Sequence, residues 1–388
     1  MPDGTDQSPT IQIVPRIADV TAAEWDSCAG TDNPFVSHAF LDALEQSRSV
    51  GPRTGWLPQH LTVRDPGGRL AGAVPLYVKS HSYGEYVFDH AWANAYQRAG
   101  GQYYPKLQAA VPFTPVTGPR LLVRPDAAPD TADLLVRALE SAADGNGLSG
   151  VHVTFPREAE WERLGEAGWL RRLGVQYHWE NRGYGSFDDF LGTFSSRKRK
   201  AVRKERRTVA ESGLEILTLT GDELKPDHWD AFFRFYTATS DRKWGSPYLT
   251  RDFFHRLGEA MPDKVVLVMA REGARWVAGA LNLLGGDTLY GRNWGGIGDY
   301  PFLHFEACYY RAIDFAIERG LKRVEAGAQG EHKIQRGYLP APTYSAHYIT
   351  DPGFRRAIGD FLDRERAAIE EEMALLAAES PYRRDGAD

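Results

Sequence analysis

Two stretches decide the fold: RDPGGRLAGAVPL at Arg64–Leu76 and REGARWVAGALNL at Arg271–Leu283. In each, an arginine and an acid close an apolar run, a glycine-containing turn follows, and the chain re-enters an apolar run through Ala-Gly-Ala. The pairs Arg64-Asp65 and Arg271-Glu272 and the tripeptides Ala71–Ala73 and Ala278–Ala280 share one offset of 207 residues, so register is kept across the turn. This spacing predicts a duplicated β-hairpin. Downstream, Ala132–Ala143 and Phe305–Glu318 carry helical apolar spacing, and each leads through a glycine-containing break into a short strand, Gly150–Phe155 and Arg323–Ala326. The repeating unit is hairpin, helix, strand in an α/β (α+β) chain. From strand to strand the offset falls to about 172, so the first copy has gained roughly 35 residues, near Ser80–Pro119. Dense in aromatic and polar residues, that insertion reads either as a functional loop or as an irregular segment packed on its own rings.

Each copy opens with a strand and two helices: Ile11–Ile17, Ala22–Cys28 and Ala39–Gln46, then Leu214–Thr218, His228–Thr239 and Thr250–Ala260. Gly183–Phe187 (GYGSF) is the expected linker, Tyr344–Ile349 a last strand, and Phe354–Ala377 a long helix whose apolar stripe suits a core or a membrane surface. The expected domains are residues 1–185 with the insertion at about 80–119, residues 186–343 opening with a basic helix, and residues 344–388.

With 388 residues, 42% hydrophobic and 25% charged, the chain is long enough for two globular domains. Its longest aliphatic runs, such as Val265–Ala270, are strand-length and predict no transmembrane segment. The first thirteen residues hold two aspartates, no Lys or Arg and no apolar block, which predicts neither a secretory signal nor a transit peptide, hence the cytoplasm. Cys28 and Cys308 alone build neither a disulfide framework nor a cysteine zinc site. The net charge of −6 conceals RKRKAVRKERR at residues 197–207, with eight Lys/Arg and one Glu, which leaves −13 for the rest. A single cationic helix on an acidic protein suits a local anionic partner, a phosphate-rich donor or an acidic carrier protein, and not DNA. GxSxG, HExxH, GxxxxGK and a complete GxGxxG are all absent, which removes the common hydrolase, zinc-protease, NTPase and dinucleotide readings.

Gly295, Gly296 and Gly298 precede the helix at Phe305, where backbone N–H groups suit a pyrophosphate or a thioester oxygen, or where glycine is needed only for space. The order hairpin, glycine turn, helix (FEACYYRAIDFAIERG), strand (RVEAG) and polar segment (QGEHKIQRGYLPAPTYSAH) resembles the C-terminal half of FemAB-like proteins within the GNAT acyltransferase superfamily. SSRKRKAVRKERRTVAESG is similar to the arginine-rich helix that opens the second domain there. Together with FVSHAFLDALE, HSYGEYVFDHAW and RKWGSPYLTRDFF, the resemblance is to the peptidoglycan-biosynthesis-like subgroup, over roughly residues 11–375. It implies tandem GNAT-like domains, each a mixed, mostly antiparallel sheet flanked by helices, sharing a cleft, with residues 344–388 packing back on the first. It implies transfer of an acyl or aminoacyl group from acyl-CoA, acyl carrier protein or aminoacyl-tRNA to an amine: an amino-lipid, a peptidoglycan precursor or a small amine. No permanent cofactor and no metal are implied, and peripheral membrane contact is compatible with such an acceptor. The rival reading is a non-catalytic cell-wall or carrier-protein recognition module on the same duplicated fold.

Such a transfer needs a neutral amine, a polarised carbonyl and a protonated leaving group. His304, Glu325 and His332 are the candidate bases of the second copy, and Asp89 and His90 those of the first. Lys333 and Arg336 read as phosphate clamps, within a polar run that also holds Gln329 and Glu331, or as part of a solvated loop. Trp92, Tyr103, Tyr104 and Lys106 read as a wall for the acceptor or as a structural aromatic cluster. Alternation places Tyr290, Arg292 and Trp294 on one strand face, and Arg242 and Trp244 close a helix, as further substrate-binding candidates. Arg199 and Arg203 on the basic helix are candidates for the donor, with Gly295, Gly296 and Gly298.

Overall fold

The computed structural model describes residues 8–243, 247–327 and 330–383. In chain order the elements of the first half are β1 (Thr10–Val14), α1 (Ala22–Ala29), α2 (His38–Gln46), β2 (Trp56–Pro58), β3 (His60–Arg64), β4 (Leu70–Val74), β5 (Leu76–Lys79), α3 (His90–Arg98), β6 (Lys106–Ala109), β7 (Leu122–Val123), α4 (Thr131–Gly145), β8 (Gly150–Thr154) and α5 (Glu158–Glu166). There follow β9 (Leu170–Glu180), α6 (Phe187–Gly192), α7 (Ser196–Ala210), β10 (Glu215–Thr220), α8 (Pro226–Lys243), α9 (Arg251–Ala260), β11 (Val265–Glu272), β12 (Arg275–Gly285), β13 (Thr288–Gly296), α10 (Leu303–Phe305), α11 (Arg311–Glu318), β14 (Arg323–Glu325), β15 (Leu339–Ile349) and α12 (Pro352–Ala378). Two compact units result, one of residues 1–174 and 343–369, the other of 175–342 and 370–388. The boundary falls inside β9, ahead of the glycine-rich linker expected at Gly183. The C-terminal segment is divided between the units, the break falling within α12.

In the first unit β1-β3-β4-β7 form an antiparallel sheet, and β15-β8-β6-β5-β2 a second series in which only β6 and β8 run parallel. Leu61, Val63, Leu76, Leu135, Leu139, Val151, Val153 and Trp161 make its core. In the second unit the order is β10-β11-β12-β13-β14-β9, antiparallel except for β13 beside β14. The core there joins Trp179, Phe190, Phe194, Val266, Leu289, Tyr310, Ile313 and Tyr338. Each unit is thus a mixed, mostly antiparallel sheet flanked by helices. Among the described residues no helix is long and apolar enough to cross a membrane.

The hairpins β3–β4 and β11–β12 carry the duplication down to their irregularities. Each has a register shift immediately before its arginine, at Val63/Arg64 and at Ala270/Arg271. The Ala-Gly-Ala tripeptides serve helix packing. A Cβ on Gly72 would sit 3.0 Å from Thr131 and 3.1 Å from Leu135 of α4, and one on Gly279 2.9 Å from Phe232 of α8. The insertion is less irregular than its composition implied, since it contains α3 and β6. The short α3 buries Trp92 and Ala93 and stacks Tyr96 on Phe354, so its helical signal rests on a single pair of turns.

Candidate functional site

In the second unit β13 and β14 pair only over Thr288–Tyr290 with Arg323–Glu325. Beyond that point β13 runs on to Gly296 along β12 alone, and among the described residues no strand covers its other edge. A cleft of about 330 Å³ opens at this end, lined by Thr239, Val277, Ala278, Trp294, Gly296, Ile297, Gly298, Asp299, Tyr300, Leu303 and His304. The turn below it needs left-handed backbone at Gly298 (φ 91°), and Phe302 holds the same region (φ 64°) where α10 begins. After α10 the helix widens into one π-turn at Glu306–Tyr310 before α11.

That geometry separates the neighbours of Phe305. His304 lines the cleft, with its ring 5.2 Å from Trp294, 5.4 Å from Tyr309 and 6.1 Å from His332. The Tyr309 hydroxyl and His332 Nε2 are hydrogen-bonded at 3.0 Å. Burial pushes the Tyr309 phenol far above its ordinary value, so it stays protonated. Glu306 is buried on the other side and binds Arg206 at 3.1 Å and Arg311 at 3.0 Å.

The remaining second-unit candidates do not join this cleft. Glu325 is buried at the end of β14 opposite His178, with Oε2 and Nε2 3.8 Å apart and neither atom hydrogen-bonded among the described residues. Burial raises the Glu325 carboxyl to about 7 and lowers the His178 imidazole to about 3. Lys333 donates to Gly327 O at 3.0 Å, and burial lowers it to about 8. Arg336 lies 3.4 Å over the Phe305 ring and donates to Glu205 and to His332 O, each at 2.7 Å. Its two terminal nitrogens are taken by the protein itself, and the contact with Glu205 clamps α7.

The expected face of Tyr290, Arg292 and Trp294 is broken by a bulge. Tyr290 pairs with Leu283 and Trp294 with Ala280, while Arg292 is the extra residue between Gly291 and Asn293. Leu283 and Ala280 are an odd number of residues apart, so Tyr290 and Trp294 point to opposite faces. Gly295 turns from the cleft: a Cβ there would lie 2.3 Å from the backbone of Phe235 in α8, which makes its glycine a packing requirement. Arg203 pairs with exposed Asp188 at 2.9 Å, and Arg199 is half-buried on α7. The side chain of Arg242, and Trp244 and Gln329 entirely, lie outside the described residues.

In the first unit the expected acceptor wall is an interior network. Lys79 and Lys106 stand directly opposite each other on β5 and β6, both fully buried. Lys106 Nζ binds Asp89 at 2.5 Å, Glu85 at 2.8 Å and Ser82 Oγ at 3.0 Å, while Lys79 lies 3.7 Å over the Trp56 ring. Burial disfavours the charge on Lys106, but Glu85 and Asp89 outweigh it and hold its pKa above the ordinary value. Burial prevails at Lys79 and Glu85, bringing both to about 7. A one-way hydrogen-bond chain ends on Asp89. Ser345 Oγ donates to His347 Nε2 (3.0 Å), His347 Nδ1 to His152 Nδ1 (2.7 Å), His152 Nε2 to Tyr103 (3.4 Å) and Tyr103 to Asp89 Oδ2 (2.7 Å). We assign these tautomers from the one pattern in which every atom has a role. Trp92 packs edge-on against His347 at 4.9 Å, and Tyr104 bonds Ser82 at 2.7 Å. Of the residues expected here, Asp89, His90, Trp92, Tyr103, Tyr104 and Lys106, only His90 is exposed, with its ring tilted against Tyr83. Lys79, His152 and His347 had no local sequence signal, because strand register alone brings them together, and Glu85 reaches them from the loop between β5 and α3. Among the described residues no group of three His, Cys, Asp or Glu side chains is placed to hold a metal ion.

A family model described as FemAB-like, peptidoglycan biosynthesis/recognition, matches residues 16–384. Among solved structures, FemX is similar at 12% identity with a TM-score of 0.54, over 88% of this chain and 98% of that one. The C-terminal domain of a putative lysylphosphatidylglycerol synthetase from Agrobacterium fabrum gives 10% identity and a TM-score of 0.52, over 88% of this chain and 95% of that one. A structure of L-PGS from Bacillus licheniformis gives 10% identity and a TM-score of 0.50, over 91% and 98%. At these identities the likeness is one of fold. No curated protein matches the sequence.

Proposed function

Because this chain belongs to the FemAB-like family, whose model spans residues 16–384, we propose that it is an N-acyltransferase that forms an amide at the second-unit cleft. The observation that carries this reading is the cleft at the uncovered end of β13, which brings Trp294, Gly296, Gly298 and His304 together. An acceptor amine attacks the carbonyl of an activated donor, acyl-CoA, an acyl carrier protein thioester or aminoacyl-tRNA. His304 takes a proton from the attacking nitrogen, the C–N bond forms, the C–S or C–O bond breaks, and the leaving group is protonated in turn. Tyr309, held neutral and hydrogen-bonded to His332, positions the imidazole through ring contact. Backbone N–H groups of the Gly296–Gly298 turn suit the developing oxyanion. No covalent enzyme intermediate is required. The acceptor class is an amine on a peptidoglycan precursor or an amino-lipid, and the setting is the cytoplasm, where such donors are made.

The test is native mass spectrometry and thermal shift with CoA, acyl-CoAs of several chain lengths, acyl carrier protein and aminoacyl-tRNA. Chain-length-dependent stabilisation by a thioester supports the reading and directs the acceptor search to amines. Binding of aminoacyl-tRNA alone moves the donor to an ester, and binding of no donor replaces the transferase with a recognition module.

A further inference from the structure

The basic helix α7 has two faces of opposite character. Its inner face buries Val202 and Val209 and is tied to the helix that leaves the cleft. Arg206 binds Glu306 at 3.1 Å and Asp314 at 2.6 Å, and Glu205 accepts from Arg336 at 2.7 Å. Directly opposite the two valines by helical geometry lie Arg197, Lys200, Lys204 and Arg207, all exposed. Among the described residues none of the four has an ion-pair partner, unlike Arg203 beside them, which holds Asp188. The stripe runs about 15 Å along one helix, and Glu211 stands just past its end. Four like charges on one face repel each other, and the inner face alone accounts for the packing of the helix. The stripe therefore calls for a counter-charge from outside.

We propose that this stripe docks an acidic helix of a carrier protein that delivers the acyl thioester to the cleft, an inference that rests on the transferase reading above. Two observations favour a protein helix over a nucleic acid. The footprint is one helix face with cations at i, i+3, i+7 and i+10, which matches carboxylates at the same spacing on a partner helix. Outside residues 197–207 the chain carries −13. A nucleic-acid duplex bears a charge about every 1.7 Å along its whole length and is repelled wherever it leaves the stripe. Arg206, held by Glu306 and Asp314, fixes α7 and its outer stripe relative to the helical segment that follows His304.

The experiment measures affinities of the full chain for octanoyl-acyl carrier protein, apo-acyl carrier protein, S-octanoyl-pantetheine and an aminoacylated tRNA. The variants are Arg197→Glu/Lys200→Glu/Lys204→Glu/Arg207→Glu and the corresponding Gln set, the latter guarding against misfolding of the reversed helix. Expected are binding of both carrier forms, a loss of at least about tenfold in each variant, steep weakening with salt, and unaltered binding of the uncharged pantetheine thioester. Equal carrier affinity for wild type and both variants overturns the proposal, as does charge-dependent binding of the tRNA without binding of the carrier. If apo carrier docks through the stripe while the pantetheine thioester never binds, the docking surface stands and the acyl-transfer reading falls.

Discussion

Lys106 shows how much one buried cation holds in place. With Asp89 at 2.5 Å and Glu85 at 2.8 Å, replacing it by methionine strands two carboxylates in the interior. Loss of one partner of such a buried pair costs about 3–5 kcal/mol. Lys106→Met should therefore lower the urea midpoint strongly while thioester binding in the second unit is retained. The histidines add a pH dependence of definite sign. Burial holds His152 and His178 at about 3 against an ordinary 6.5, and His347 well below it, so all three are neutral when folded. Below pH 6.5 the unfolded chain protonates these imidazoles and the folded chain does not, so each removes stability as pH falls toward its folded value, while Glu85 and Glu325, raised to about 7, take up protons in the folded chain over the same range and offset part of that loss. In urea unfolding at about pH 7 and about pH 5, His178→Gln should lose less stability than the wild type, and an equal loss in both would mean that this imidazole carries its proton in the native state. In the sequence, Asp89 and Lys106 stand out as chemistry-bearing residues. Their enclosure does not, because it depends on β5 facing β6 in register and on His152 meeting His347 across 195 positions of chain.

At the level of elements, glycine reads differently by position. Gly298 needs its left-handed backbone, whereas Gly295 is pressed against α8. A methyl group at Gly295 meets helix backbone, which cannot rotate away as a side chain can, so Gly295→Ala should cost about 1–3 kcal/mol or more. Differential scanning calorimetry of the variant checks this, and an unshifted transition would show that α8 yields freely. The sequence spacing anticipated the hairpins, α4, the helix beyond the glycine turn and α12, since each rests on local periodicity. It did not reveal the bulge at Arg292 or the π-turn at Glu306–Tyr310, since a single extra residue leaves composition unchanged. The cleft was legible only in part. His304, Trp294, Gly296 and Gly298 were marked by the glycine turn, but Thr239 and Val277 reach it from elements whose packing no local pattern encodes.

The whole chain is woven rather than strung. Residues 343–369 complete the first unit, where the C-terminal part of β15 pairs with β8 from Ser345↔Thr154 to Ile349↔Gly150 and contributes Tyr344 and Ala346 to the core. A fragment ending at residue 185 contains nearly all of that unit's sequence yet lacks this strand. It should be insoluble or lack dispersed amide resonances in NMR spectra, whereas addition of a peptide spanning residues 343–369 should restore them. A well-dispersed spectrum of the fragment alone would show that the strand is dispensable. The same weave sets a schedule for biosynthesis. The N-terminal unit cannot close while the ribosome is still making the protein's middle. Its sheet edge at β8 and the apolar surface beneath wait for a strand encoded almost two hundred codons later, so the nascent chain has to be shielded until that strand has been made.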